Sequence, residues 1–321
     1  MNEPTFDDVV RAAEFLRDRL PPTPMWNYPA LDSAAGATVL VKHENVQPVG
    51  AFKVRGGLVF FAGLAEADRR RGVVTYSTGN HAQSMAYAAA RSGARCVIAM
   101  PEGTNAVKVR AARALGAEVE LYGASLAESH KRAEELAADQ DLLPVSPGDE
   151  PALIAGVGTL YRELFAAADQ LDAVVVPAGS GTGAAAACLV AEGMAEHCEI
   201  IAVQSSSSPA GHDSWHAGEL LERPNLTTVD GLATGRAFGL PQRILRRRLD
   251  DFRLVSDEQI ATARRLLATH AHTLAEGSGA AALAAVLNDD RFAGKRVAVI
   301  CSGGNASPEE LAELAAADMP G

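Results

Sequence analysis

Short apolar β-rich runs alternate with alanine-rich helical stretches along most of this chain, and that alternation constrains its fold more than any other feature. "TVLVKH" (38–43), "GVVTYS" (72–77), "RCVIAM" (95–100) and "EVELYG" (118–123) are each followed or preceded by a helix-like segment such as "HAQSMAYAAARSG" (81–93). "DAVVVP" (172–177), "EIIAVQ" (199–204) and "RVAVIC" (296–301) repeat the pattern later. Near-continuous apolar strands separated by helices predict parallel sheet buried on both faces, an α/β fold. Gly93 and Gly116 follow helical runs where C-terminal stops belong. One sheet with so many units would be unusually wide, so two are expected. "LLPVSPGDEP" (142–151) reads as the return between them. The expected division is a small lobe, 71–145, inserted into a larger lobe made of 1–70 plus 146–321.

Bulk properties exclude several function classes. With 48% hydrophobic and 21% charged residues in 321, the composition is that of a globular protein. A formal net charge of −11 argues against nucleic acid or an anionic membrane as the main partner. The one basic run, "RILRRR" (243–248), is followed by Asp250 and Asp251 and reads as a solvated helix face. Four cysteines (Cys96, Cys188, Cys198, Cys301) lack CxxC spacing, which fits neither a disulfide framework nor a zinc site and suggests a reducing cytoplasm. The acidic start "MNEPTFDDVV" lacks a signal-peptide pattern, and no apolar run reaches the roughly 20 residues of a membrane span.

In α/β sheets, function lies where strands end and helices begin. After 172–177 comes "PAGSGTGAAAA". Gly179, Ser180, Gly181, Thr182 and Gly183 there let backbone N–H groups converge at a helix N-terminus, a cradle for one phosphate. A tight turn with close helix packing is the alternative. No GKS or GKT ending places a lysine for a triphosphate. After 72–77 comes "STGNHAQS", in which Ser77, Thr78 and Asn80 offer donors to a carboxylate. A plain N-cap explains Ser77 or Thr78 equally, and His81 also suits a structural role. After 296–301 comes "SGGNAS", where Ser302 projects a hydroxyl beside Gly303 and Gly304. Lys53, in "VGAFKVRGG" (49–57), stands among small residues, either as a solvated lysine at a helix start or as an amine that forms Schiff bases. Together these elements match an amino-acid enzyme using pyridoxal phosphate.

The chain resembles the fold-type II pyridoxal-phosphate family, and within it the threonine/serine dehydratases and serine racemase. The resemblance runs through "PPTPMWNYPALD" (21–32), "KHENVQPVGAFKVRGG" (42–57), "STGNHAQSMAYAA" (77–89), "PAGSGTG" (177–183), "AEGSGAAALAA" (275–285) and "CSGGN" (301–305). It implies a two-lobed, tryptophan synthase β-like fold and a homodimer. It also implies that Lys53 carries the cofactor, that Phe52 packs beside the ring and that Asn80 bonds the ring hydroxyl oxygen. Gly179 to Gly183 would hold the phosphate, Ser302 would meet the pyridine nitrogen, and Glu276 would be the acidic residue near the cofactor. Ser77, Thr78, Gly79, Asn80 and His81 would take the substrate carboxylate. A neutral Ser302 has no charge with which to raise the pyridine nitrogen's pKa, which favours β-elimination over transamination. The implied reaction is α,β-elimination from a β-hydroxy amino acid, such as L-threonine or L-serine, to a 2-keto acid and ammonia.

Departures narrow the expectation. Ala51 stands where the family often has serine. Thr78 aligns with the serine that the racemase uses as its second base, so racemisation is disfavoured. Gln204 replaces the glutamate of the racemase-like cation site, so no metal is expected there. The chain ends about 16 residues after Asn305, which leaves no room for the regulatory domain of biosynthetic threonine deaminases. "SSPAGHDSWHAGE" (207–219) and "GLATGRAFG" (231–239) make Trp215, His216 and Arg236 candidates for reading a larger side chain, Arg236 for the second carboxylate of 3-hydroxyaspartate. An ordinary surface loop is the competing account of Trp215 and His216. The 43–57 stretch is also similar to dehydratase-like proteins of hydroxyectoine breakdown. A β-replacement synthase and a non-catalytic cofactor-binding protein remain the alternatives in other classes.

Overall fold

A computed structural model describes residues 2–168 and 170–316. Among the described residues ten strands occur in chain order: β1 Met25–Asn27, β2 Thr38–His43, β3 Val73–Tyr76, β4 Cys96–Met100, β5 Glu118–Leu121, β6 Leu143–Pro144, β7 Ala173–Pro177, β8 Glu199–Ser205, β9 Asp251–Val255 and β10 Arg296–Cys301. The chain forms two compact units. One joins the residues up to Pro21 with Lys53–Thr159, and the other joins Pro22–Phe52 with the chain from Leu160 onward.

The first unit is built on a four-stranded parallel sheet in the order β5-β4-β3-β6. β3 and β4 are buried throughout, as a central pair covered on both faces must be. The second unit holds a six-stranded sheet, β1-β2-β10-β7-β8-β9, parallel except for β1. Two alanine-rich helices pack on it, Thr182–Met194 and Gly277–Leu287, and the first ten residues of each are buried. A helix apolar all round belongs inside a domain, and alanine lets such a helix approach a sheet closely. This accounts for the alanine runs that flank the strands.

The seven strands read from the sequence are all present, within two residues at each end. β1, β6 and β9 were not expected. β6 is two residues including a proline, and β9 is a partly exposed edge strand with Asp251 and Arg253, so neither carries an apolar run.

The units also divide the chain differently from the expected lobes, 71–145 and 1–70 plus 146–321. The helices Phe6–Leu16 and Lys53–Gly63, and the chain as far as Thr159, belong with the smaller sheet. Glycine contacts make this so. A Cβ on Gly57 would lie 2.8 Å from the Ser84 carbonyl oxygen in the helix Asn80–Ser92, and one on Gly156 would lie 2.7 Å from the Gly56 Cα. Backbones that approach so closely lock the Lys53 helix onto this unit.

Candidate active site

In the second unit, β10 and β7 are parallel neighbours, so Cys301 and Pro177 end at the same edge of the sheet. Beyond Pro177, Gly179 and Gly181 are needed for different reasons. A side chain on Gly179 would collide with the Gly231 carbonyl oxygen. Gly181 has φ +86°, in the left-handed region, and caps the helix Thr182–Met194 without a side-chain hydrogen bond. The first N–H groups of that helix therefore open onto the turn, where the helix dipole favours an anion. Thr182 is buried, and its hydroxyl lies 3.3 Å from that of Ser180. A Cβ on Gly183 would stand 3.6 Å from the Phe52 ring, which places that ring beside the helix start.

Beyond Cys301, Ser302 is 3% exposed, and its hydroxyl donates to the Ser278 carbonyl at 3.3 Å. The Phe52 N–H donates to the Ser302 carbonyl at 3.0 Å, and Ala51 bridges to Gly303. Asn305 Nδ2 donates to the Val49 carbonyl at 2.8 Å and holds the same segment from its other side. Glu276 is buried and accepts the Ser278 hydroxyl at 2.8 Å, so it orients Ser278. The residues 49–52 are thus stitched to the end of β10, and Lys53 follows by one peptide bond.

In the first unit, Lys53 opens the helix Lys53–Gly63, and its carbonyl accepts the Ser84 hydroxyl at 2.6 Å. Its side chain is part-accessible, yet its amine is desolvated enough that burial lowers the pKa from the usual 10.5 to about 7. A large fraction of the amine is neutral and nucleophilic at physiological pH. The turn after β3 is half-buried over Ser77–Asn80, and Ser77 Oγ accepts the Gly79 N–H at 3.2 Å. The helix Asn80–Ser92 begins without a side-chain cap, so its first N–H groups also face the turn.

His81 turns inward. Its Nε2 lies 2.9 Å from Thr75 Oγ1, whose proton goes to the Val145 carbonyl at 2.8 Å. Nε2 is therefore the donor, assigned from this network, and Nδ1 carries no proton. Burial, with the nearby Lys53 charge, lowers the His81 pKa to about 3. The imidazole stays neutral and anchors the helix start; it offers no positive charge to a carboxylate.

The remaining candidates have partners of their own. Trp215 Nε1 donates to the Leu245 carbonyl at 3.2 Å, which ties this indole to the helix Gly239–Arg248. His216 is exposed. The Arg236 guanidinium lies 5.1 Å from the Phe238 ring centroid. Gln204 is buried at the end of β8, and its Oε1 accepts the His212 N–H at 3.0 Å. The sequence reading missed Gly231, Ser278 and Asn305. Only Gly179 hinted at one of them: its φ is outside the positive range, so its requirement is the close approach of another backbone.

A desolvated amine reacts with a carbonyl, and an uncapped glycine turn holds a phosphate. These are the two chemistries that pyridoxal 5′-phosphate, an aldehyde carrying a phosphate, calls for, and they point to a pyridoxal-phosphate-dependent class of α/β enzyme. The chain belongs to the pyridoxal-phosphate dependent enzyme family, whose model matches residues 16–303. It is 32% identical to an L-threo-3-hydroxyaspartate ammonia-lyase of Saccharomyces cerevisiae, over 97% of this chain and 96% of that one. It is 37% identical to a biosynthetic L-threonine dehydratase of Escherichia coli over 88% of this chain, a match that spans 56% of that protein. Among solved structures, threonine deaminase isoform 2 from Solanum lycopersicum superposes with a TM-score of 0.90 at 28% identity, covering 98% of this chain and 90% of that one. These are the fold-type II enzymes that the sequence resembles.

Proposed function

We propose that this protein is a pyridoxal-phosphate-dependent ammonia-lyase that releases a 2-keto acid and ammonia from a β-hydroxy amino acid. The observation that carries the reading is Lys53, a lysine of lowered pKa bonded directly to a residue that is stitched to Ser302 and packed beside the glycine turn. Consecutive Cα atoms are about 3.8 Å apart, so the chain itself keeps this amine near those groups.

In this reading one cofactor molecule is served by residues of both units. The N–H groups of the Gly179–Gly183 turn would hold its phosphate, and Phe52 and Ser302 would be its neighbours on the ring side. When bound, the cofactor supplies an electron sink for the bond broken at Cα. The chain's own groups do the rest. Ser77, Thr78 and Asn80, with the uncapped N–H groups of the helix Asn80–Ser92, fix the substrate carboxylate. Lys53 Nζ, neutral because it is desolvated, takes the Cα proton as general base. Ser302 carries no charge with which to raise the pyridine nitrogen's pKa, which favours β-elimination over transamination, the β-hydroxyl leaving with a proton as water. Thr78 sits on the carboxylate turn as the opposite-face hydroxyl. A homodimer in the cytoplasm completes the proposal.

For the substrate, L-threonine and L-serine are the simplest choices. Threo-3-hydroxyaspartate is the second reading, favoured by relatives of matching length. Besides the yeast protein, a β-hydroxyaspartate dehydratase of Paracoccus denitrificans is 33% identical over 96% of this chain and 98% of its own. Chromatographic identification of the keto acid from each amino acid decides between them. 2-Oxobutyrate or pyruvate marks a reader of small side chains, and oxaloacetate marks a reader of a second carboxylate. Formation of a new amino acid on adding a thiol, without keto acid, would replace the lyase by a β-replacement synthase.

A further inference from the structure

The first unit carries a second concave site that the proposed reaction does not use. The helices begun by Lys53 and Asn80 run on to Gly63 and Ser92, and the later turns of both line a cleft of about 400 Å3 together with the end of the helix Phe6–Leu16. At 1.5 Å per residue, Arg91 is about 16 Å along its helix from Asn80. The cleft's floor is apolar and aromatic, from Phe15, Phe61 and Tyr87, with Phe61 1% exposed. Its charges come from Arg19, Arg69 and Arg91.

Among the described residues, none of these three guanidiniums has a carboxylate within 4.0 Å. That is unusual in a chain with a formal net charge of −11. Arg19 lies 4.0 Å over the Phe15 ring, and Arg91 lies 4.6 Å over that of Tyr87. Arg69 reaches only the Leu64 carbonyl at 3.3 Å, and its Nε is buried with no hydrogen-bond partner. The nearest carboxylates in its own helix are taken: Glu66 pairs with Arg70 at 2.8 Å and Asp68 with Arg71 at 3.2 Å. A buried donor without an acceptor is rare in folded proteins, and an acceptor brought by a ligand would satisfy it.

We propose that this cleft binds a small oxyanion with an apolar body, the chemistry of an aryl carboxylate or an aryl phosphate ester. Guanidiniums are planar forks matched to carboxylate and phosphate, and stacking on aromatic rings holds two of them in place before a ligand arrives. The floor takes the apolar body, and the volume suits a single small molecule.

The test is calorimetric titration of the pyridoxal-phosphate-loaded enzyme with phenyl phosphate and, separately, benzoate. Saturable binding of either is expected, and the tighter of the two identifies the preferred head group. Arg69→Gln with Arg91→Gln should weaken it about tenfold or more, as losing two charge-assisted contacts does. Arg17→Gln, an exposed charge next to the same first helix, should change it less than about twofold. If the double variant fails to fold by circular dichroism, Arg91→Gln alone, at an exposed position, should still weaken binding by about threefold. Unchanged affinity in the variants, no saturation by either probe, or equal binding of benzyl alcohol or inorganic phosphate would overturn the proposal. So would a change of sedimentation coefficient in the variants, which would make the cleft a contact between copies of the chain.

Discussion

The turns after β3 and β7 are topological equivalents, each leading from a buried parallel strand into a helix without a side-chain cap, yet they are built differently. In the Gly179–Gly183 turn Gly179 is pressed against the Gly231 carbonyl and Gly181 against the Pro241 side chain, and the helix behind it is wholly buried in its first turns. The Ser77–Asn80 turn is half-buried and offers side-chain hydroxyls and an amide. Backbone donors in a packed setting suit a group that arrives once and stays, whereas side-chain donors at an accessible turn suit one that comes and goes with each turnover. The difference supports the proposal that the first takes the cofactor phosphate and the second the substrate carboxylate.

That contrast breaks if the two turns respond alike to substitution. Gly179→Ala forces a Cβ into the Gly231 carbonyl and must displace the turn. A shift of about 1 Å in a positioning element costs on the order of 100-fold. The expected loss is in cofactor retention, read by dialysis and cofactor absorbance, with a matching fall in kcat. Ser77→Ala removes the acceptor that holds the Gly79 N–H, and with it one hydroxyl proposed for the substrate carboxylate. It should raise KM about tenfold, the value of a hydrogen bond to a charged group, and leave cofactor retention unchanged. A variant of either turn that moved both quantities equally would remove the division of labour.

Lys53 sharpens the comparison through pH. In the cofactor-free protein its folded pKa, about 7, is below the unfolded value near 10.5. Between these values the unfolded chain binds more protons, so this lysine makes stability rise with pH from about 7 to 10 and contributes no slope below about 7. Thermal melting of the cofactor-free protein should show that rise, and Lys53→Met should flatten it. The smallest effect is expected from Thr75→Val, which leaves the His81 Nε2 proton without its acceptor. The cost is about 1–3 kcal/mol, a fall in Tm of several degrees. Because His81 is neutral above about pH 3, this loss should be the same at pH 6 and pH 8.

Much of this was legible in the sequence, because the inner strands β2, β3, β4, β7, β8 and β10 are buried almost throughout and read as unbroken apolar runs. β9 escaped because an edge strand with Asp251 and Arg253 has no such run. The unit boundary was misplaced because what assigns the Lys53 helix is the contact of Gly56 with Gly156 and of Gly57 with Ser84, and pairings across so many residues leave no local pattern. Lys53, Ser302 and the glycine turn were visible as unusual residue types at strand ends. The inward orientation of His81 was not, since nothing in "STGNHAQS" indicates that Thr75 would claim its imidazole. The partners of Gly179 and Ser302, namely Gly231 and Ser278, were likewise beyond reach, because each is an ordinary residue until the fold brings it near.

The most direct test of the account is parallel measurement of ammonia and 2-keto acid release from L-threonine, L-serine and threo-3-hydroxyaspartate by the loaded enzyme and by Lys53→Ala. The account predicts equal amounts of both products from at least one substrate, and loss by about 100-fold or more in the variant, the scale of a removed general base. Loaded enzyme that releases neither product from any of the three, or a Lys53→Ala variant that releases them at the wild-type rate, would contradict it.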